Sequence, residues 1–378
     1  MRVALNGWFW DRPETGSGQY LRQLVQALRR VHPELAVTLC MPAAEAPPDL
    51  PHGVTAALLP APPGPAGKVW WEQVTLPRAV QRLGVELLHV PYWGSPWRAA
   101  VPLVVTVHDL IPLLLPAYRG GAWVRLYTAL VSATARRAAL ILTDSEAARG
   151  DIVRHLRVAE ERVRAIWLAA AAEYRPDAAL APLAALGLAP GYLLYLGGFD
   201  VRKNLQAVLG AWARMREEVP EARLVIAGRL PARDSDFAPD PRRLLREAGL
   251  PETAVFFTGF FPEALKPALY RGARAFVFLS RYEGFGLPPL EALACGVPVV
   301  GSHAASLPEV IGDAGVLVAP DDVAGAAAAL TRLWRDDAFH GVLQQRALRQ
   351  AARFSWERTA RDTAAAYQQA VGGERTGF

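Results

Sequence analysis

Cysteine is nearly missing from this chain of 378 residues: Cys40 and Cys295 stand far apart and in unlike contexts. Two such residues exclude a disulfide framework, and no Cys/His spacing points to a metal site. No apolar run is long enough to cross a bilayer, and the N-terminal MRVALNGWFWDRPE lacks the charged, apolar and small regions of a secretory signal, so a cytoplasmic location is expected. Lysine is almost as rare. Of 41 basic residues only Lys68, Lys203 and Lys266 are lysine, which makes each a candidate for a specific role. The arginines are scattered rather than grouped with stacking aromatics, which disfavours nucleic-acid binding. The net charge of +5 still attracts phosphates or anionic head groups without choosing between them.

What is present is apolar and ordered. With 52% hydrophobic and 20% charged residues, the length suits two globular domains. Apolar runs at 3–6, 36–40, 54–59, 86–90, 103–107 and 139–143 read as strands. Between and after them, 17–31, 69–83, 121–138 and the stretch behind Asp144-Ser145 carry helical signals. An Ala/Pro-rich stretch at 169–190 reads as a linker. The alternation then restarts with strands at 192–196, 223–227, 254–257, 275–279, 297–300 and 315–318, and helices at 205–219, 262–272 and beyond. Two successive α/β halves follow, each a doubly wound, mostly parallel sheet.

The stretch 280–300, SRYEGFGLPPLEALACGVPVV, carries the strongest chemical signal. Glu283 and Glu291 lie eight positions apart, and Pro288-Pro289 mark a helix start, where a missing N–H costs nothing. Amides at such an end favour an anion, and Gly284 and Gly286 let backbone approach a ligand. Carboxylates suit hydroxyls and amides suit phosphate, so the stretch fits a sugar nucleotide. A second turn, GGFDVRKN at 197–204, adds Arg202 and Lys203 before a helix: backbone, helix end and fixed cations together. His108-Asp109 falls at the carboxyl end of a strand, where open α/β sheets place ligands. Asp109 equally suits a turn or cap. Gly16-Ser17-Gly18 is a partial glycine motif whose other reading is a loop and cap. Asp234-Ser235-Asp236 resembles a metal-binding pair but sits in a polar, Pro-rich loop and is read as surface. Eight of the eleven tryptophans precede residue 172, a distribution suited to sugar stacking or a membrane interface, although any single one is more often core.

Taken together these residues resemble the retaining glycosyltransferases of family 4, which have the GT-B fold. The carriers are TGSGQYL at 15–21, VVTVHDLIPLLLP at 104–116, TDSEAARGDI at 143–152, YLGGFDVRKNL at 195–205, VFFTGF at 255–260, EGFGLPPLEALACGVPVVGS at 283–302 and SLPEVIGDAGVLV at 306–318. The resemblance implies two Rossmann-like domains facing a cleft: 1–171 for the acceptor, joined by a returning helix at about 355–378, and 172–354 for the nucleotide sugar. It implies that Glu291 holds the ribose and Glu283 the donor sugar. Amides near Gly284, Phe285, Gly286 and Leu287 hold sugar and phosphate oxygens, and Arg202 and Lys203 meet the diphosphate. His108 reaches the sugar, Gly16 and Gly18 approach phosphates or acceptor, and the loop ending at Phe260 reads the base mostly through backbone. Some relatives carry arginine where this chain has Gly198, which leaves Arg202 as the second cation. The implied reaction needs no cofactor, no metal and no protein nucleophile. GDP-mannose is the expected donor and a UDP-hexose the alternative. The expected acceptor is a glycan or lipid-linked molecule of cell-surface polysaccharide synthesis, with peripheral contact to the inner face of the plasma membrane through the first domain. Rival readings are a retaining glycoside phosphorylase and a non-catalytic two-lobed sugar or nucleotide binder.

Overall fold

The computed structural model describes residues 1–43, 45–177 and 179–373. The chain forms two compact units, one from Met1–Leu168 together with the segment that starts at Ser355, the other from Ala169–Phe354.

The first unit is built on seven parallel strands: β1 (Arg2–Asn6), β2 (Ala36–Met41), β3 (Val54–Leu58), β4 (Leu87–Val90), β5 (Leu103–Thr106), β6 (Leu140–Thr143) and β7 (Val163–Ala165). Their spatial order is β3-β2-β1-β4-β5-β6-β7. Every residue of β4, β5 and β6 is buried, as expected for a parallel sheet covered on both faces. The helix Gly16–Val31 starts where the Thr15 side chain accepts from the Gly18 amide, and it buries Tyr20, Leu21, Leu24, Val25 and Leu28 along one stripe. The last helix, Trp356–Gly373, packs on that helix. It is fastened by Glu357 to Arg30 at 2.8 Å, by Thr359 to the Trp167 carbonyl at 2.6 Å and by the Tyr367 hydroxyl to His89 at 2.7 Å.

The second unit has six parallel strands: β8 (Tyr192–Leu196), β9 (Leu224–Ala227), β10 (Val255–Gly259), β11 (Ala273–Phe278), β12 (Val299–Ser302) and β13 (Gly315–Val318). They are ordered β10-β9-β8-β11-β12-β13. The period of two divides β8 between two apolar layers: Leu193 and Tyr195 join the cluster around Trp212, while Tyr192, Leu194 and Leu196 join the one around Tyr270 and Phe276. In both sheets the succession of strands reverses next to the first strand, between β1 and β4 and between β8 and β11. The carboxyl ends at such a reversal form the ligand crevice of open α/β sheets.

Some elements depart from the sequence reading. The stretch 169–190 is packed into the second unit, with Tyr174 and Leu183 in its core. The short strand β7 was not anticipated, having only three residues. The helix Pro241–Glu247, capped by Asp240, lies just past what reads as an uninterrupted loop. The helical signal at 69–83 is a longer rod, Gly64–Trp70 and Leu76–Leu83 with a π-helical turn at Trp71–Thr75 between them. Among the described residues no helix is long and apolar enough to cross a membrane.

Candidate active site

In the second unit, the turn after β8 and the loop after β11 meet at the strand-order reversal. Asn204 holds them together. It adopts a left-handed backbone (φ 55°), and its side-chain amide donates to the carbonyls of Leu279 at 3.1 Å and Pro320 at 2.7 Å. Arg202 Nη1 donates to the Tyr282 carbonyl at 2.8 Å, and the Arg281 amide donates to the Arg202 carbonyl at 2.8 Å. The Ser306 hydroxyl lies under the loop, donating to the carbonyls of Glu283 at 2.9 Å and of Phe285. At the end of β9, Gly228 (φ 147°) lets the backbone pass against the turn at 197–204; a Cβ there would lie 2.6 Å from the Gly197 carbonyl oxygen.

On this frame Glu283 is buried between two cations, Lys203 Nζ at 2.8 Å from Oε1 and Arg202 Nη1 at 2.7 Å from Oε2. Burial pushes its carboxyl pKa up, but Lys203 and Arg202 outweigh that and hold it below the ordinary carboxylate value. The loop then enters the helix Leu287–Ala294 through Gly286 (φ 116°), a backbone that disfavours any side chain. Pro288 and Pro289 occupy the first turn and the Leu290 amide donates to the Gly286 carbonyl at 3.2 Å, so the amides left at the positive end of the helix dipole are those of Gly286 and Leu287. One turn further, Glu291 is buried and held by Lys266 Nζ at 3.1 Å and the Tyr270 hydroxyl at 2.9 Å. Burial pushes the Glu291 carboxyl up, only partly opposed by Lys266 and Tyr270. Burial also works against the charge on Lys266, yet Glu291 and Glu263 raise its pKa, so the ammonium stays charged. Two carboxylates, each with its own cation, thus flank a helix N-terminus: a set suited to hydroxyls on either side of a phosphate group.

The other sequence-derived residues are distributed around these. Gly198 lies in the turn after β8, its carbonyl accepting from the Tyr195 hydroxyl at 2.6 Å. Gly284 is buried in the loop, and Leu287 is the first helical residue. The Phe285 side chain is core, edge-on to Phe354 at 5.9 Å, so only its backbone faces the loop's chemistry. Phe260 follows β10 and is 70% exposed, with the Arg229 guanidinium 4.6 Å from its ring centre.

His108, Gly16 and Gly18 belong to the first unit. His108 follows β5, its Nδ1 2.7 Å from Asp144 and its ring edge-on to Tyr20 at 4.9 Å. Burial works against a charged imidazole, but Asp144, with Asp109 and the Pro91 carbonyl, raises the pKa above the ordinary histidine value. Asp109 also accepts from the Ile111 amide at 2.9 Å, the turn role its residue type allows. Gly16 is exposed at the helix start with open space where a Cβ would stand. Gly18 is instead hemmed in by its own preceding loop, since a Cβ would lie 2.1 Å from the Arg12 carbonyl oxygen. Asp234 takes the Asp240 amide at 2.8 Å and Arg243 at 2.8 Å, closing its loop.

Sequence reasoning marked Lys266 by the rarity of lysine but gave it no partner, and it did not name Tyr270. All three lysines of the chain pair with a buried glutamate: Lys68 with Glu72 at 2.6 Å, Lys203 with Glu283, and Lys266 with Glu291. Arg229 and Ser306 carried no comparable mark, because arginine and serine are common here.

Residues 15–169 match Glycosyltransferase Family 4, and residues 190–336 match Glycosyl transferases group 1. The chain is 36% identical over 287 residues to the O-antigen chain mannosyltransferase B of Escherichia coli, covering 75% of this chain and 74% of that one. It is 33% identical over 281 residues to the serotype-specific mannosyltransferase WbdA of the same species, covering 72% of this chain but only 33% of that longer protein. Sucrose-phosphate synthase from Thermosynechococcus elongatus superposes with a TM-score of 0.77 at 24% identity, covering 99% of this chain and 100% of that one, a likeness of fold. The chain is a glycosyltransferase with the GT-B fold and belongs to the group 1, or family 4, glycosyltransferases.

Proposed function

We propose that the protein transfers mannose from GDP-mannose, with retention of configuration and without a metal ion, to a glycan or lipid-linked acceptor in surface-polysaccharide synthesis. The observation that carries the reading is the pairing of Lys203 and Arg202 with Glu283 beside the N-terminus of the helix Leu287–Ala294. The similarity to mannosyltransferases supports the choice of sugar.

In this reading the bond from the sugar's anomeric carbon to the diphosphate oxygen breaks first. Lys203, Arg202 and the helix-end amides take up the charge that grows on the leaving oxygen. The acceptor oxygen bonds to the same face of the sugar, and its proton passes to the departing phosphate, so no side chain forms a covalent intermediate. Glu283 holds sugar hydroxyls, Glu291 the ribose, and His108 is assigned a hydroxyl of the donor sugar. Binding of a diphosphate draws Lys203 and Arg202 toward phosphate and frees the Glu283 carboxylate for the sugar.

A thermal-shift series with GDP, UDP, ADP and dTDP tests the donor. A ligand at 100 times its Kd adds about 2.7 kcal/mol of stability by mass action, so GDP should raise Tm most. Stabilisation by UDP alone, or by none of the four, would overturn the donor assignment.

A further inference from the structure

The ligand edge of the second sheet extends past the phosphate turn to the ends of β9 and β10, where two side chains remain outside the mechanism above. Arg229 stands two residues beyond Ala227, the last of β9, and Phe260 one residue beyond Gly259, the last of β10. Phe260 is an aromatic left 70% exposed beside the carboxyl ends of these strands. The guanidinium of Arg229 lies over its ring at 4.6 Å. Arg229 is exposed, and among the described residues no carboxylate pairs with it and no carbonyl accepts from it. A guanidinium over an aromatic ring with its N–H groups uncommitted is a fork resting on a platform.

We infer that Arg229, seated on Phe260, is the specificity-determining residue that selects guanine in the donor nucleotide. The fork of a guanidinium matches two neighbouring acceptors. Guanine offers such a pair in O6 and N7; adenine has N7 beside a donor, and the two carbonyls of uracil are separated by the N3–H donor, with only C–H on the other side of O4. Lysine could not replace the fork, because its ammonium is a point charge. Phe260 limits the rotation of the guanidinium and supplies apolar area beside the base, so the N–H groups meet the purine edge with little ordering left to do. The inference rests on the GDP-mannose reading and adds the residue that enforces it.

Calorimetric titration of the wild-type protein, Arg229→Ala and Arg229→Lys with GDP, UDP and 7-deaza-GDP tests it, the last probe lacking the N7 acceptor. Circular dichroism and Tm verify that the exposed substitution leaves the fold intact. The wild type is expected to bind GDP more tightly than either 7-deaza-GDP or UDP. In Arg229→Ala the Kd for GDP should rise about ten- to a hundredfold, converging on that for 7-deaza-GDP, while the Kd for UDP moves less than about threefold. Arg229→Lys should behave like Arg229→Ala. If the wild type prefers GDP and Arg229→Ala keeps that preference, the role of Arg229 is overturned and the donor reading stands. If GDP and UDP weaken equally, Arg229 supplies charge alone and the selection of guanine is likewise overturned. A wild type that prefers UDP overturns both.

Discussion

The buried Glu283 carboxylate is shared by two kinds of cation, the compact Lys203 ammonium at 2.8 Å from Oε1 and the Arg202 guanidinium at 2.7 Å from Oε2. Lys203→Met should therefore lower kcat by about 10²–10³-fold through lost charge stabilisation on the leaving phosphate, measured by steady-state release of nucleoside diphosphate. A fall of less than threefold would remove Lys203 from that role. The same change raises the Glu283 pKa. Because the Glu283 value is depressed in the folded state, its contribution to stability is present above 4.5 and lost as pH falls through the folded value. His108 has the opposite sign. Its pKa is raised from 6.5, so its contribution is full below 6.5 and fades as pH rises through the folded value. In Asp144→Asn the burial of His108 is no longer opposed by that charge, and its titration midpoint, followed by imidazole NMR signals, should fall. An unchanged midpoint would mean that Asp144 does not set it.

At the scale of elements, the phosphate turn depends on a backbone crossing as much as on its charges. Gly228→Ala places a Cβ 2.6 Å from the Gly197 oxygen in a φ of 147°, so it should destabilise the second unit by about 1–3 kcal/mol and weaken donor binding at the same time. Chemical denaturation together with calorimetry measures both, and a neutral outcome in both would show that the turn yields easily. Most strands and the helix starts at Gly16-Ser17-Gly18, Asp144-Ser145 and Pro288-Pro289 were legible in the sequence, because apolar runs, caps and proline act locally. The motif 283–291 was legible for the same reason, its glycines, prolines and glutamates all lying within one turn and one helix. What escaped depends on distance. Lys266 reaches Glu291 from another helix, Arg229 lies over Phe260 from a neighbouring strand end, and Tyr174 enters the core from a stretch whose alanines and prolines read as a tether. No periodicity records which strand ends will be neighbours; the parallel order β10-β9-β8-β11 decides it.

On the scale of the whole molecule, two Rossmann-like units share one plan: a parallel sheet whose central strands are buried on both faces, with the candidate site residues in the loops at the carboxyl ends and in the helices that follow. The positive net charge favours an anionic donor before any contact forms. The proposed reaction is retaining, metal-independent mannosyl transfer from GDP-mannose. A proton NMR time course of the purified protein with GDP-mannose and a synthetic mannose-terminated acceptor, run in the presence of EDTA, tests it most directly. GDP is expected to accumulate in step with a new α-mannosyl anomeric signal. A β-anomeric product, a requirement for added divalent metal, or sugar turnover that depends on free phosphate and releases no GDP would contradict it.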